Sequence, residues 1–148
     1  MASRSSETMT KMRHRARHSR RDLGPGGAAR PRADCASVLD DVLLGELAED
    51  VGRGPVAGLV RGFIDLVPRR LAAVRRAADS RDAMSLKEMS HSLEGSAAYV
   101  GAHRVVSTCR SLEAVASAGD LDAAKCLIDE LDHALDAAVE ALVARWLA

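Results

Sequence analysis

Aromatic side chains are almost missing from this 148-residue chain, which has one Phe, one Tyr and one Trp: Phe63, Tyr99 and Trp146. A core must therefore be filled by Leu, Val and Ala, a composition that suits closely packed helices. Apolar residues still make up 47% of the chain, enough for one domain's core. No apolar run approaches the roughly 18 residues needed to span a bilayer. The first residues contain no apolar segment of the signal-peptide kind. The expectation is a soluble, cytoplasmic protein without a membrane partner. Cysteine is scarce too: Cys35, Cys109 and Cys126 are odd in number and lack C-x-x-C spacing. That argues against a disulfide framework or a zinc site. The phosphate-binding G-x-x-x-x-G-K-[ST], the dinucleotide G-x-G-x-x-G and the zinc-binding H-E-x-x-H are all absent. With no ATP-binding region, the chain has no recognisable route to phosphorylate itself from ATP.

The zero formal charge hides an asymmetry. Residues 1–33 hold nine Lys and Arg against Glu7 and Asp22, a net of +7, and the remainder carries −7. Arg, Ser and Gly dominate residues 1–33, and Gly24-Pro25-Gly26-Gly27 is a cluster of helix breakers. This segment reads as a disordered basic tail. Its stretch from Lys11 to Arg21 has the charge to meet nucleic acid or an acidic surface. A simple solvated extension is the reading that the composition favours. The acidic remainder argues against nucleic acid as the domain's partner.

From residue 34 to residue 148 the pattern is helical, and no strand-like alternation is present. A short helix is predicted over Cys35–Glu49, with Val38, Val42 and Leu43 among its apolar positions. Gly52-Arg53-Gly54-Pro55 separates it from a long helix reaching Ala78, in which Pro68 should introduce a kink or a split near Leu66-Val67. Helices over Ala83–Val100 and His103–Ser117 follow, divided by Gly101. Gly119-Asp120 leads into a last helix with Leu121, Ala124, Ile128, Leu131, Leu135, Ala138 and Leu142 in 3–4 spacing. Short connections imply antiparallel neighbours. The expected fold is all-α: an antiparallel up-down four-helix bundle with a short extra N-terminal helix.

The helix over 83–100 carries the chemistry. With about 100° per residue, Leu86, Met89, Leu93 and Val100 fall opposite His91, which therefore occupies the middle of the polar face. Gly95 lies one turn above it and Lys87 one turn below. Interior glycine costs a helix roughly 1 kcal/mol relative to alanine. The compensating gain is open space beside the imidazole for a bulky group or a docking partner. Neutral imidazole is a nucleophile near physiological pH and can hold a phosphoryl group as a labile N–P bond.

The run His91, Leu93, Gly95 and Gly101 resembles the H-x-L-K-G-x-x-x-x-x-G signature of the histidine phosphotransfer (HPt) domain family. Phe63 and Pro68 upstream, Cys109-Arg110-Ser111-Leu112-Glu113 downstream and Gly119-Asp120 before the last helix extend the likeness from about Asp34 to Trp146. The resemblance implies a non-enzymatic phosphorelay intermediate. His91 would be the phosphoryl acceptor, exchanging the group with the aspartate of a response-regulator receiver domain and with a hybrid histidine kinase. It implies no cofactor on this chain, Mg²⁺ being expected on the receiver. Lys87, Glu94, Gly95, Ala98 and Met84 form the expected supporting and docking set. The alternative reading is a helical adaptor that binds a receiver or kinase without carrying phosphate.

Glu94 departs from the signature, standing where the family usually has lysine. At i+3 from His91 it is expected to repel a phosphoryl group. At an exposed helical position that penalty is about a few tenths of a kcal/mol. The tail generates its own test. Deleting residues 1–30 is expected to leave the melting temperature of the domain nearly unchanged. A large drop in a thermal scan would show that the tail packs on the bundle.

Overall fold

The computed structural model describes residues 38–148. The expected tail, residues 1–33, and residues 35–37 of the expected first helix lie outside the described residues. From Val38 the chain forms one compact unit. Its helices are α1 (Asp41–Val51), α2 (Arg53–Asp79), α3 (Ala83–Tyr99), α4 (His103–Ala118) and α5 (Leu121–Leu142), closed by a π-helical turn over Val143–Leu147. Among the described residues there is no strand.

Aspartates set three of the helix starts. The side chains of Asp40, Asp82 and Asp120 accept hydrogen bonds from the backbone N–H of Leu43, Ser85 and Ala123, at 3.1, 3.1 and 3.2 Å. Each satisfies a donor that the first turn of a helix leaves unpaired. The cap at Asp40 moves the first helix from the predicted Cys35–Glu49 to Asp41–Val51. That start changes the inward face of α1: Leu44 is buried, whereas the predicted core residue Val42 is exposed. Pro68 does not split α2, which runs unbroken from Arg53 to Asp79. Buried Phe63 precedes Pro68 and buried Leu71 and Val74 follow it, so packing holds both halves to one core despite the backbone bond that proline removes.

The four long helices pack in sequence, α2 on α3, α3 on α4 and α4 on α5, and α5 returns to α2 while α1 lies against α2. Leu86, Leu93, Leu112, Leu131, Leu135 and Leu142 are wholly enclosed with Val56, Val60, Val74, Val100 and Val105. Each such side chain contributes about 1.5–3 kcal/mol on removal from water. Ala97, Ala116, Ala124 and Ala138 fill the closer approaches. Residues 145 and 146 tie back to the start of the bundle. Arg145 pairs with Asp41, Arg53 donates to the Arg145 carbonyl, and the Arg53 guanidinium lies 4.8 Å from the Trp146 ring centroid.

Two glycines differ in what they can accept. Gly101 follows α3 with φ +69°, and a Cβ placed on it would lie 2.9 Å from Asp40 Cβ and 3.2 Å from the Asp40 backbone nitrogen. Its carbonyl accepts from Asp40 N–H at 2.8 Å, joining the entry to α1 to the α3–α4 turn. Gly95 has open space where its Cβ would be. Gly101→Ala is expected to destabilise the domain by about 1–3 kcal/mol. Gly95→Ala is expected to be neutral or to stabilise by up to about 1 kcal/mol. Urea denaturation of the two variants checks the contrast; equal effects would contradict it.

Candidate functional site

Burial of one face of α3 decides where His91 points. Leu86, Ser90, Leu93 and Ala97 form the buried stripe of this helix. His91 lies on the opposite side with 76% of its side chain exposed. The Asp82 cap fixes the helix start, strengthened by a 2.7 Å bond from the Ser85 hydroxyl to the second Asp82 oxygen. These bonds hold the Asp82 carboxyl below the usual carboxylate range.

The imidazole is not isolated. Its Nδ1 lies 3.4 Å from Glu113 Oε2 on α4 and 3.7 Å from Glu94 Oε2 on α3. Both carboxyls are largely covered, Glu94 being 17% and Glu113 21% exposed. Arg110, on α4, donates from Nε to Glu94 Oε1 at 2.8 Å while its side chain stays 71% exposed. Glu94 thus leans across the α3–α4 seam and its charge is met by a guanidinium. The expectation of an exposed carboxylate repelling a phosphoryl group is corrected on this point: Glu94 is covered and ion-paired.

The two glutamates divide their protons unevenly. The facing Glu113 carboxyl, acting as a hydrogen-bond donor, and then the Arg110 guanidinium hold the Glu94 carboxyl below its ordinary range. Burial and the facing Glu94 push the Glu113 carboxyl upward. Glu113 Oε1 is enclosed without a hydrogen-bond partner, which agrees with a carboxyl poorly solvated as an anion. Behind them, burial pushes the Cys109 thiol up to about 12, with both glutamate charges adding. Cys109 is thus an inert core residue.

The remaining sequence-predicted residues lie along the outer side of α3. Lys87 and Met84 are exposed, and Lys87 has no ion pair among the described residues. Gly95 and Ala98 line a shallow groove of about 390 Å³ with Leu43 and Leu47 of α1, Leu59 of α2 and Tyr99. The structure brings Gly95 and Ala98 together there, whereas Glu94 turns the other way, toward α4. His103 and His133 are engaged elsewhere, His103 with Asp40 at 3.5 Å and His133 with the Asp129 carbonyl at 2.7 Å. Among the described residues, His91, Glu94 and Glu113 form one group whose potential metal-ligand atoms lie within 4.8 Å of one another.

Sequence reasoning missed the parts played by Arg110 and Glu113. Three residues apart on α4, both reach the His91 side of the α3–α4 seam. The signal was their place on that helix, with Glu113 one turn beyond buried Cys109 at the edge of the apolar stripe and Arg110 farther out on the polar side, beside a short α3–α4 connection.

The raised Glu113 carboxyl carries a sign for stability. Folding favours its protonated form, so its favourable contribution is present below the unfolded-state pKa and is lost as pH rises through the higher folded value. Glu113→Gln removes that dependence. Its stability relative to the parent chain is expected to improve between pH 4 and pH 8, as followed by urea midpoints. Glu94, lowered, acts in the opposite sense, so Glu94→Gln is expected to lose ground over the lower part of that range. Parallel pH profiles for the two variants would contradict the assignment.

Comparison with known proteins bears on this geometry. The family model described as the Hpt domain matches residues 58–142, more than half of the chain. The crystal structure of histidine-containing phosphotransfer protein B (HptB) from Pseudomonas aeruginosa PAO1 is similar, with a TM-score of 0.71 and 27% sequence identity. The match covers 76% of this chain and 96% of that one. No curated protein sequence matches. The matched region spans α3 with His91 and its contacts on α4, and it places the chain in the Hpt domain family.

Proposed function

We propose that this chain is a phosphorelay intermediate in which His91 accepts a phosphoryl group from, and returns it to, the aspartate of a response-regulator receiver domain. The observation that carries the reading is the setting of the imidazole. It stands in solvent on a rigid helix, with Nδ1 turned to two carboxyls and an open position at Gly95 one turn away. Carboxyls facing Nδ1 favour the tautomer that keeps its proton there, leaving the lone pair on Nε2. The contacts of 3.4 and 3.7 Å are longer than good hydrogen bonds and bias the ring without locking it.

In the proposed step, the Nε2 lone pair attacks phosphorus as the bond between phosphorus and the receiver's aspartyl oxygen breaks. The bonding pair leaves with that oxygen and regenerates a carboxylate. Nδ1 keeps its proton, so the ring becomes cationic beside Glu94 and Glu113. Phosphoryl transfer depends mainly on positioning and charge neutralisation. The receiver's acceptor pocket and its Mg²⁺ supply what this chain does not. A hybrid histidine kinase is the proposed further partner, since the sequence contains no ATP-binding motif of its own.

The groove beside His91 supports a protein partner. Leu43, Leu47, Leu59, Ala98 and Tyr99 present apolar surface around Gly95, and Tyr99 and Met84 are largely exposed. A helix or loop of a receiver laid there would meet an apolar floor that begins one turn along α3 from His91. No helix of the described residues is long and apolar enough to cross a membrane.

Mixing the chain with a phosphorylated receiver and Mg²⁺ is expected to give an acid-labile, base-stable phosphoryl label. His91→Gln is expected to lose that label and keep its helical circular dichroism, because exposed substitutions usually change stability by less than about 0.5 kcal/mol. Gly95→Leu is expected to slow transfer while keeping His91, by filling the open position. A label that persists in His91→Gln overturns the assignment. Failure of every receiver to label the parent chain favours the adaptor reading.

A further inference from the structure

The charges around His91 pose a problem that the chain itself must solve. A phosphoryl group on Nε2 brings up to two negative charges to a ring already flanked by Glu94 and Glu113. The cation bonded into this cluster is Arg110, through Nε to Glu94 Oε1 at 2.8 Å. That bond uses one of the guanidinium's five N–H groups. Among the described residues no other Arg110 hydrogen bond or ion pair is present. The side chain is 71% exposed on a flexible stem, so it can turn at little cost. A planar fork of paired N–H donors matches two oxygens of a phosphoryl group.

We propose that Arg110 binds the phosphoryl group once it is on His91, with Glu94 as the partner that holds the guanidinium beside the imidazole in the resting state. The inference rests on His91 being the phosphoryl-bearing residue, as proposed above. In the resting protein Arg110 neutralises Glu94. In the phosphorylated protein the η nitrogens meet phosphoryl oxygens, either with Nε still on Glu94 or after the guanidinium has turned away from it. The positive charge thus comes to the site from α4, the neighbouring helix, and not from α3 itself. Lys87, one turn from His91 and without an ion pair, is the competing cation on α3.

The full chain can be phosphorylated directly with potassium phosphoramidate, which needs no partner protein, and followed by ³¹P NMR. The signal from His91 is the one absent in His91→Gln. Titrating that signal with pH gives the second ionisation of the phosphoryl group, which a bound guanidinium lowers by favouring the dianion. Arg110→Ala is expected to raise this ionisation by about one pH unit. Arg110→Lys is expected to restore part of the difference. The decisive background is Glu94→Gln. If Arg110 touches the phosphoryl group, Arg110→Ala still raises the ionisation there. If Arg110 only screens Glu94, the effect vanishes in that background, and the proposal is overturned. A shift in Lys87→Ala with none in Arg110→Ala overturns it equally. Arg75→Ala, which breaks an exposed ion pair to Asp132 between α2 and α5, is expected to change nothing and controls for loss of an arginine. Absence of any His91 signal from the parent chain rejects His91 as acceptor and the inference with it; a normal His91 signal indifferent to Arg110 rejects the inference alone.

Discussion

The buried stripe of α3 is the constraint on which the rest depends. Leu86, Ser90, Leu93 and Ala97 face inward between α2 and α4, and rotating the helix would expose Leu86 and Leu93 at a cost of about 1.5–3 kcal/mol each. That energy fixes the helix about its axis far more firmly than any contact made by His91 itself. The exposed imidazole is therefore placed by residues on the far side of its helix. Its own contacts, at 3.4 and 3.7 Å, adjust only the ring. An exposed histidine gains a defined direction because the opposite side of its helix has nowhere else to go.

Much of this was legible in the sequence, for reasons that differ from element to element. The helices over 83–100 and 103–117 differ from α3 and α4 by one residue at the far end, because Gly101 and Gly119 mark their ends unambiguously, with φ +69° and +74°. The last helix announced its buried face through 3–4 spacing, and Leu121, Ala124, Ile128, Leu131, Leu135, Ala138 and Leu142 are all buried. The first helix was less legible. Its apolar residues, including the consecutive Val42, Leu43 and Leu44, are spread over more than one face, and a capping aspartate placed the start later than periodicity did. Pro68 was read by its local cost alone, whereas packing on both sides carried α2 through it.

The candidate site divides along the same line. His91 and the opening at Gly95 follow from positions on one helix, which angular arithmetic resolves. The roles of Arg110 and Glu113 depend on the distance between two helices, which no single-helix pattern contains. Glu94 shows the consequence. Taken on α3 alone it is a solvent-facing negative charge. Across the seam it is a covered carboxylate held by a guanidinium at 2.8 Å and facing a second carboxyl. Its sign is the same in both views, and its exposure and pairing are not. Membership of the Hpt domain family gives the fold and the general task; the charge arrangement beside the histidine belongs to this chain's own pairing of α3 with α4.

The tie between the bundle's start and residues 145 and 146 has a consequence for how the chain is made. Asp41 and Arg53 find their partners 104 and 92 positions later. On the ribosome, α1 and the first turn of α2 emerge long before Arg145 and Trp146 exist as partners. During that interval α3 and α4, joined by a short turn, can already pair through local contacts. The helix pair that carries His91 is thus equipped to form early. The end of the bundle that holds α1 is completed only when synthesis has passed residue 146.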